Sequence, residues 1–254
     1  HVALEQENIF ILKEDQINEE QQRFINIYFS QEVGPSLVTL MLNNIQSISK
    51  IKDSNAFLAI RMVLDAKKHP FLDPIQFALI EIPSSLKRFV VLPSVDGKTQ
   101  LMLLDDLIRT QLSTIFDVFQ HNSIEAHMVK FSRDAELDFD DDLSKSYIEK
   151  VAESVKVRSH GEAVRFVYDK DISDDTLLLL IDRLDIDNRD SVISGGRYHN
   201  RRDYIKFPDL GRSDLKYQTQ VPLPIADFDL HKSLFSQIAL KDRLMFTPYH
   251  SFSY

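Results

Sequence analysis

Between Leu37 and Leu103 five apolar runs follow one another: Leu37–Leu42, Ala56–Leu64, Ile75–Ile82, Arg88–Leu92 and Leu101–Leu103. Their β-branched and aromatic content reads as strand, and the segments between them, Lys68-His69-Pro70, Pro83-Ser84-Ser85 and Asp96-Gly97 among them, are turn material. Parallel neighbours in a sheet need a crossover of about a dozen residues or more, usually helical. These separators carry no helical pattern, so the spacing predicts an antiparallel meander over this part of the chain.

Around the meander the apolar period changes from two to nearly four. Asn8–Leu12 reads as a short strand, and Ile17–Val33 as a helix with Phe24, Ile27 and Tyr28 on one face, stopped by Gly34-Pro35. Asp105 is placed to cap a helix whose apolar face is Leu107, Ile108, Leu112, Ile115 and Phe116. A strand over Ala126–Arg133 then leads to a helix through Leu143, Tyr147, Ile148, Val151 and Val155. The remaining elements are a strand at Ala163–Tyr168, a helix at Asp174–Leu184, a strand at Asp190–Ile193 and a short helix near Arg201–Ile205. No internal repeat is visible. The class expected is α+β, a largely antiparallel sheet covered by helices. From about Ser213 the composition turns to proline and isolated aromatics, and Val221-Pro222-Leu223-Pro224 reads as an extended connector before a helical pattern at Leu234–Leu240. This predicts one domain over 1–221 and the start of a second over 222–254.

Hydrophobic residues make up 43% and charged residues 27% of the 254, enough to bury a core. The chain has no cysteine, which excludes disulfides, thiolate metal sites and cysteine nucleophiles and fits a reducing cytoplasm. A net charge of −9 argues against gripping nucleic acid or another polyanion with the whole surface. No apolar run approaches the roughly 20 residues that span a bilayer. The chain starts at His1 without a cationic leader, as a trimmed or proteolysed piece of a longer protein would.

Few residue patterns suggest chemistry. Asp138, Asp140 and Asp142 fall at positions 1, 3 and 5 of a calcium loop, with Glu149 at position 12, but position 6, where glycine is needed, is Leu143. Leu143 also opens an apolar helix face, so the acids read as a favourable first turn. No phosphate-cradling Gly-Lys-Ser/Thr loop and no Gly-x-Ser-x-Gly elbow occur. His69, His121, His127 and His160 lack zinc spacing and read as surface or loop residues. Asp105-Asp106 and Asp174-Asp175 sit at helix starts, where capping explains them. The candidate that remains is Gly195-Gly196-Arg197-Tyr198-His199-Asn200-Arg201-Arg202, where flexible glycines meet clustered cations. Arg197, His199, Arg201 and Arg202 can give charge-assisted hydrogen bonds to phosphate oxygens.

That segment, together with Ser132-Arg133-Asp134-Ala135-Glu136, Asp214-Leu215-Lys216-Tyr217, Pro222, Pro224 and Leu244-Met245-Phe246-Thr247-Pro248-Tyr249-His250-Ser251-Phe252, resembles polyphosphate kinase. The likeness runs from about Asn8 to Tyr254. It implies reversible transfer of the terminal phosphoryl of ATP to polyphosphate through a phosphohistidine, with Mg2+. It further implies that the phosphohistidine and the phosphate-binding arginines lie on catalytic domains beyond Tyr254, and that adenine contacts come partly from an N-terminal helical domain. On this reading 1–221 is a head domain beginning with the tail of that helical domain, and 222–254 opens the first catalytic domain. His250 then has a packing or hydrogen-bonding role. The piece itself has no catalytic residue, holds no metal or cofactor, forms a dimer or higher homo-oligomer, walls the active-site tunnel and is inactive alone. The expected setting is the cytoplasm, with peripheral membrane association left open. Residues Phe235–Phe252, without the domain they enter, are expected to fray or to pack on a neighbouring molecule. The competing reading is a non-enzymatic protein-interaction module with an exposed sheet edge.

Overall fold

The structure, a computed structural model, describes residues 2–48, 56–133, 163–186, 192–198, 201–218 and 232–240. The expected helix over Leu143–Val155, the calcium-like acids, His160, His199, the Pro222 connector and His250 lie outside the described residues. The chain divides into two compact units, His1–Pro208 and Asp209–Tyr254.

The first unit opens with α1 (Val2–Gln6) and β1 (Ile9–Leu12), followed by α2 (Glu19–Tyr28). α2 begins in a capping box: Gln21 N donates to Asn18 Oδ1 at 2.9 Å and Asn18 N donates back to Gln21 Oε1 at 3.1 Å. The long helix expected over Ile17–Val33 is not uniform. After Tyr28 it widens into a π turn, Phe29–Val33, and closes in a 3-10 turn, Gly34–Ser36. A Cβ on Gly34 would stand 3.2 Å from the Phe29 carbonyl oxygen, so glycine allows that tight closure.

Then come β2 (Val38–Met41), β3 (Ala56–Leu64), β4 (Ile75–Glu81), β5 (Phe89–Val91) and β6 (Thr99–Leu103), each close to its expected run. Their arrangement is not the expected meander. A six-stranded sheet has the order β2-β4-β3-β7-β8-β9, with β7 at His121–Arg133, β8 at Ala163–Asp169 and β9 at Val192–Gly195, while β1-β6-β5 form a second sheet. The hairpins β3–β4 and β5–β6 are antiparallel, as their turn chemistry demands. β2, however, pairs with β4 and leaves β3 for the centre. β1–β6 and β8–β9 are parallel. The reason lies in burial. Ala56–Leu64 is apolar along almost its whole length and is covered on both faces, which places it inside the sheet, whereas β2 is exposed at Val38 and Thr39 and suits an edge.

Alternate residues of β3 feed two cores. Leu58, Ile60 and Met62 pack with Ile25, Phe29 and Val33 and with Leu104, Leu107 and Ile108 of α3 (Leu104–Thr110), which is followed by α4 (Leu112–Ile115). Phe57 and Ala59 pack on the other face with Val129, Phe131, Phe166 and with Leu180 and Leu184 of α5 (Asp174–Leu184). Phe57 and Phe131 stack at 5.2 Å between centroids. Helices thus lie on both faces of a mostly antiparallel sheet, the α+β class expected.

The second unit contains a 3-10 turn at Ser213–Leu215 and α6 (Leu234–Leu240) among its described residues. Arg212 pairs with Asp214 at 2.7 Å and Lys216 with Asp209 at 2.5 Å. Phe235 and Leu240 are exposed.

Candidate functional site

α3 follows β6 directly, its first amide held by the Arg88 carbonyl at 2.9 Å. Its apolar side, Leu104, Leu107 and Ile108, belongs to the first core, so the helix turns Asp105 and Asp106 toward β5 and the segment after β9. Neither acid is the expected cap. The N-cap is Leu103, which makes no side-chain bond, and both carboxylates are fully buried. A buried carboxylate must be paired and hydrogen-bonded to be tolerated, and that requirement organises the site.

Asp106 accepts from three side chains. Arg109 Nη1 and Arg197 Nη2 each lie 2.7 Å from its Oδ1, and the Tyr198 hydroxyl donates to its Oδ2 at 2.6 Å. Arg197 also pairs with Glu14, in the turn between β1 and α2. Asp105 faces Arg88 Nη2 at 3.1 Å and Arg109 Nη1 at 3.5 Å. Arg88 in turn donates from Nε to Asp203 Oδ2 at 2.8 Å, and Arg109 Nε donates to the Ala126 carbonyl on β7 at 3.1 Å. The ring of Phe89, next to Arg88, takes Tyr204 and Phe207 edge-on at 5.3 and 5.0 Å. Through Arg88, Arg109 and Arg197, α3 is therefore tied to the start of β5, to Ala126 on β7, to the Glu14 turn and to Asp203.

Burial pushes the Asp105 carboxyl up, an effect Arg88 opposes and neighbouring Asp106 reinforces. Burial and the Asp106 carboxylate hold the Tyr198 phenol well above its usual range. For Arg197 partial burial acts the other way, but hydrogen bonds to Glu14 and Asp106 win and fix its charge. Tyr198 and Arg197 are thus held in their protonated forms. The arrangement holds chain segments together.

Of the four residues expected to meet phosphate, the structure places Arg197 in this network with 28% of its side chain exposed. Arg201 and Arg202 open a 3-10 turn, Arg201–Lys206, whose Asp203 is the one bound to Arg88. The sequence reading missed Glu14, Arg88, Asp105, Asp106, Arg109 and Tyr198. The usable signal was Asp105-Asp106-x-x-Arg109, two acids four and three residues before a base on a helix with an apolar face.

A second polar cluster corrects two further expectations. Asp175 does not simply cap α5: Arg61 on β3 reaches it from Nε at 2.8 Å and also approaches Glu125 at 3.7 Å. His127 is not a loop residue but lies on β7, largely buried, with Nδ1 at 3.3 Å from Asp169 Oδ2. His121 Nδ1 meets the Phe119 carbonyl oxygen at 2.7 Å, and His69 Nε2 accepts from Gln120 N at 2.9 Å. Among the described residues no three His, Cys, Asp or Glu side chains are gathered as a metal would require. An open groove of about 550 Å³ lies between α2 and α3, lined by Gln22, Asn26, Phe29, Thr110 and Gln111 among others. Asn26 Oδ1 accepts from both Gln22 and Gln111 at 2.8 Å, so the lining is uncharged and in part self-satisfied. No helix among the described residues is long and apolar enough to cross a membrane.

The family model described as the polyphosphate kinase middle domain matches residues 20–207. The polyphosphate kinase of Vibrio vulnificus (strain YJ016) is 36% identical over 252 residues, which is 97% of this chain and 35% of that protein. That of Escherichia coli (strain K12) is 32% identical over 253 residues, 97% of this chain and 36% of that protein. The crystal structure of polyphosphate kinase from Porphyromonas gingivalis covers 100% of this chain with 35% of its own, at a TM-score of 0.70 and 24% identity, a likeness of fold. The chain thus spans 35% of the length of the first of these curated relatives.

Proposed function

The chain belongs to the polyphosphate kinase family through its middle domain, and on that premise we propose that it is a non-catalytic head of an enzyme that moves the terminal phosphoryl of ATP reversibly onto polyphosphate. The observation that carries this reading is where the arginines go. Phosphoryl transfer is mostly positioning and neutralisation of charge on phosphate oxygens, which requires cations available to the substrate. Arg88, Arg109 and Arg197 are all engaged with buried carboxylates, and the resulting network joins segments of the fold.

The proposal assigns ATP, Mg2+ and the phosphohistidine to parts of the protein outside this chain, which spans 35% of its Vibrio relative. No three His, Cys, Asp or Glu side chains gather as metal ligands among the described residues. The head contributes assembly, as a dimer or higher homo-oligomer in the cytoplasm, and forms part of the wall around the substrate path. The exposed edge strand β2, with Val38 at its start, supports a role in pairing. Polyphosphate contact falls to His199, Arg201, Arg202 and the part of Arg197 that Glu14 and Asp106 leave open.

Sedimentation of the chain over a range of concentrations, with and without long-chain polyphosphate at moderate salt, tests both parts. The expected result is a stable oligomer whose polyphosphate binding weakens with salt and is lost in an Arg201→Ala/Arg202→Ala variant. A monomer at all concentrations contradicts the assembly role. An oligomer indifferent to polyphosphate contradicts the contact.

A further inference from the structure

We propose that His127 is a proton-dependent latch: charged, it fastens the turn between β8 and α5, and with it the end of β9, to the face of β7; neutral, it lets that turn open.

In the antiparallel pairing of β3 with β7, Ala59 stands opposite His127 and Arg61 opposite Glu125, so the four side chains share the face that α5 covers. His127 is largely buried there between two carboxylates. Its Nδ1 lies 3.3 Å from Asp169 Oδ2 at the end of β8, and its Nε2 lies 3.9 Å from Glu125 Oε2. Glu125 has little other compensation: its Oε1 is buried without a hydrogen-bond donor among the described residues, with Arg61 Nη1 3.7 Å away and Arg61 Nε taken by Asp175 at 2.8 Å.

Asp169 shapes the turn that follows it. Its side chain is buried, its Oδ1 accepts from Asp171 N at 3.3 Å, and its carbonyl accepts from Ile172 N at 3.0 Å, with Ile172 set in the second core just before α5. On its other side Asp169 stands opposite Gly195 in the parallel pairing of β8 with β9, and Lys170 N donates to the Gly195 carbonyl at 3.1 Å. Gly195 precedes Arg197 by two residues, so the contact made by His127 reaches the stretch of chain that enters the Asp106 network.

An imidazole is the side chain whose ordinary change of charge falls between pH 5 and 8. Only the imidazolium carries an N–H on both nitrogens; the neutral ring turns a lone pair toward Asp169 or toward Glu125. The charged groups around it come from each element at this corner: Glu125 from β7, Asp169 from β8, Arg61 from β3, Asp175 from the first turn of α5, and Lys170 and Asp171, both exposed, from the turn itself. β9 brings none. Acids outnumber bases in that set, and protonated His127 supplies positive charge where two of the acids meet. The latch is therefore closed below the imidazole range and loosens as the pH rises through it.

The test follows hydrogen exchange of the full chain at about pH 5 and about pH 8, corrected for the intrinsic pH dependence of amide exchange, beside an NMR titration of the His127 ring. The expected result is that amides of 169–173 and 192–195 exchange about tenfold faster at the higher pH, the scale of one hydrogen bond to a charged group, with a midpoint that coincides with that of the ring. His127→Gln, whose amide carries no titratable proton, and Asp169→Asn should each abolish this difference while the chain still melts cooperatively. Equal corrected exchange at the two pH values overturns the latch, as does a difference that survives in either variant. Should both variants fail to fold, the wild-type midpoints decide: an exchange midpoint apart from that of the ring overturns the assignment to His127. A response confined to 169–173 overturns the extension to β9.

Discussion

The hydroxyl of Tyr198 donates a 2.6 Å hydrogen bond to the fully buried carboxylate of Asp106, joining positions 92 residues apart in the chain. With the arginines around it, that bond makes the start of α3 the point where the edge of the large sheet, the β5–β6 sheet and the Glu14 turn are held together. The consequences fall on stability.

Asp106→Asn keeps the shape of the side chain but removes the charge facing Arg109 and Arg197. Breaking a buried ion pair on one side costs about 3–5 kcal/mol. Urea unfolding should show a loss of that size, whereas Tyr198→Phe, which removes one hydrogen bond, should lose about 1–2 kcal/mol.

Two carboxylates should act on stability in opposite directions as pH changes. Asp175 is held below its ordinary 3.8: partial burial would raise it, but hydrogen bonds from Ser173, Arg61 and the Thr176 amide prevail. Its contribution is present above that value and lost as the pH falls through the lower folded value. Asp105 is held above its ordinary 3.8 chiefly by burial, so the folded state binds the extra proton and stability declines as the pH rises from that value through the folded one. Denaturation midpoints followed from pH 2 upward should show Asp175→Asn flattening the acid limb, and Asp105→Asn removing the decline above about pH 4.

Phe131 is fully buried and stacks on Phe57 at the centre of the second core, whereas Phe71 is 97% exposed. Phe131→Ala should destabilise by about 3–5 kcal/mol. Phe71→Ala should stay within about 0.5 kcal/mol. The same urea titration distinguishes them.

The local elements were legible in the sequence because their signals are local. The Asp174–Leu184 helix announces itself by apolar spacing, and its bounds match. The β3–β4 and β5–β6 hairpins follow from their turn residues. Sheet order was not legible: β1 pairs with β6 through Ile9 and Thr99, and β2 skips β3 to reach β4, with no marker of either in the intervening residues. Apolar runs state that a strand is buried, not beside which strand. The site was half legible for a related reason. Arg197 stood out as a cation beside glycines, while Asp105 and Asp106 looked like ordinary helix-start acids, since a short-range pattern cannot tell a cap from a buried carboxylate whose partners lie far along the chain.

We propose that this part of a polyphosphate kinase gives shape and leaves the chemistry to the rest. The direct measurement is phosphoryl transfer by the chain alone, with ATP, Mg2+ and polyphosphate, followed as ADP release and polymer growth. The account predicts no ADP above the protein-free background at any protein concentration. ADP release that rises in proportion to the chain, with matching growth of the polymer, would contradict it.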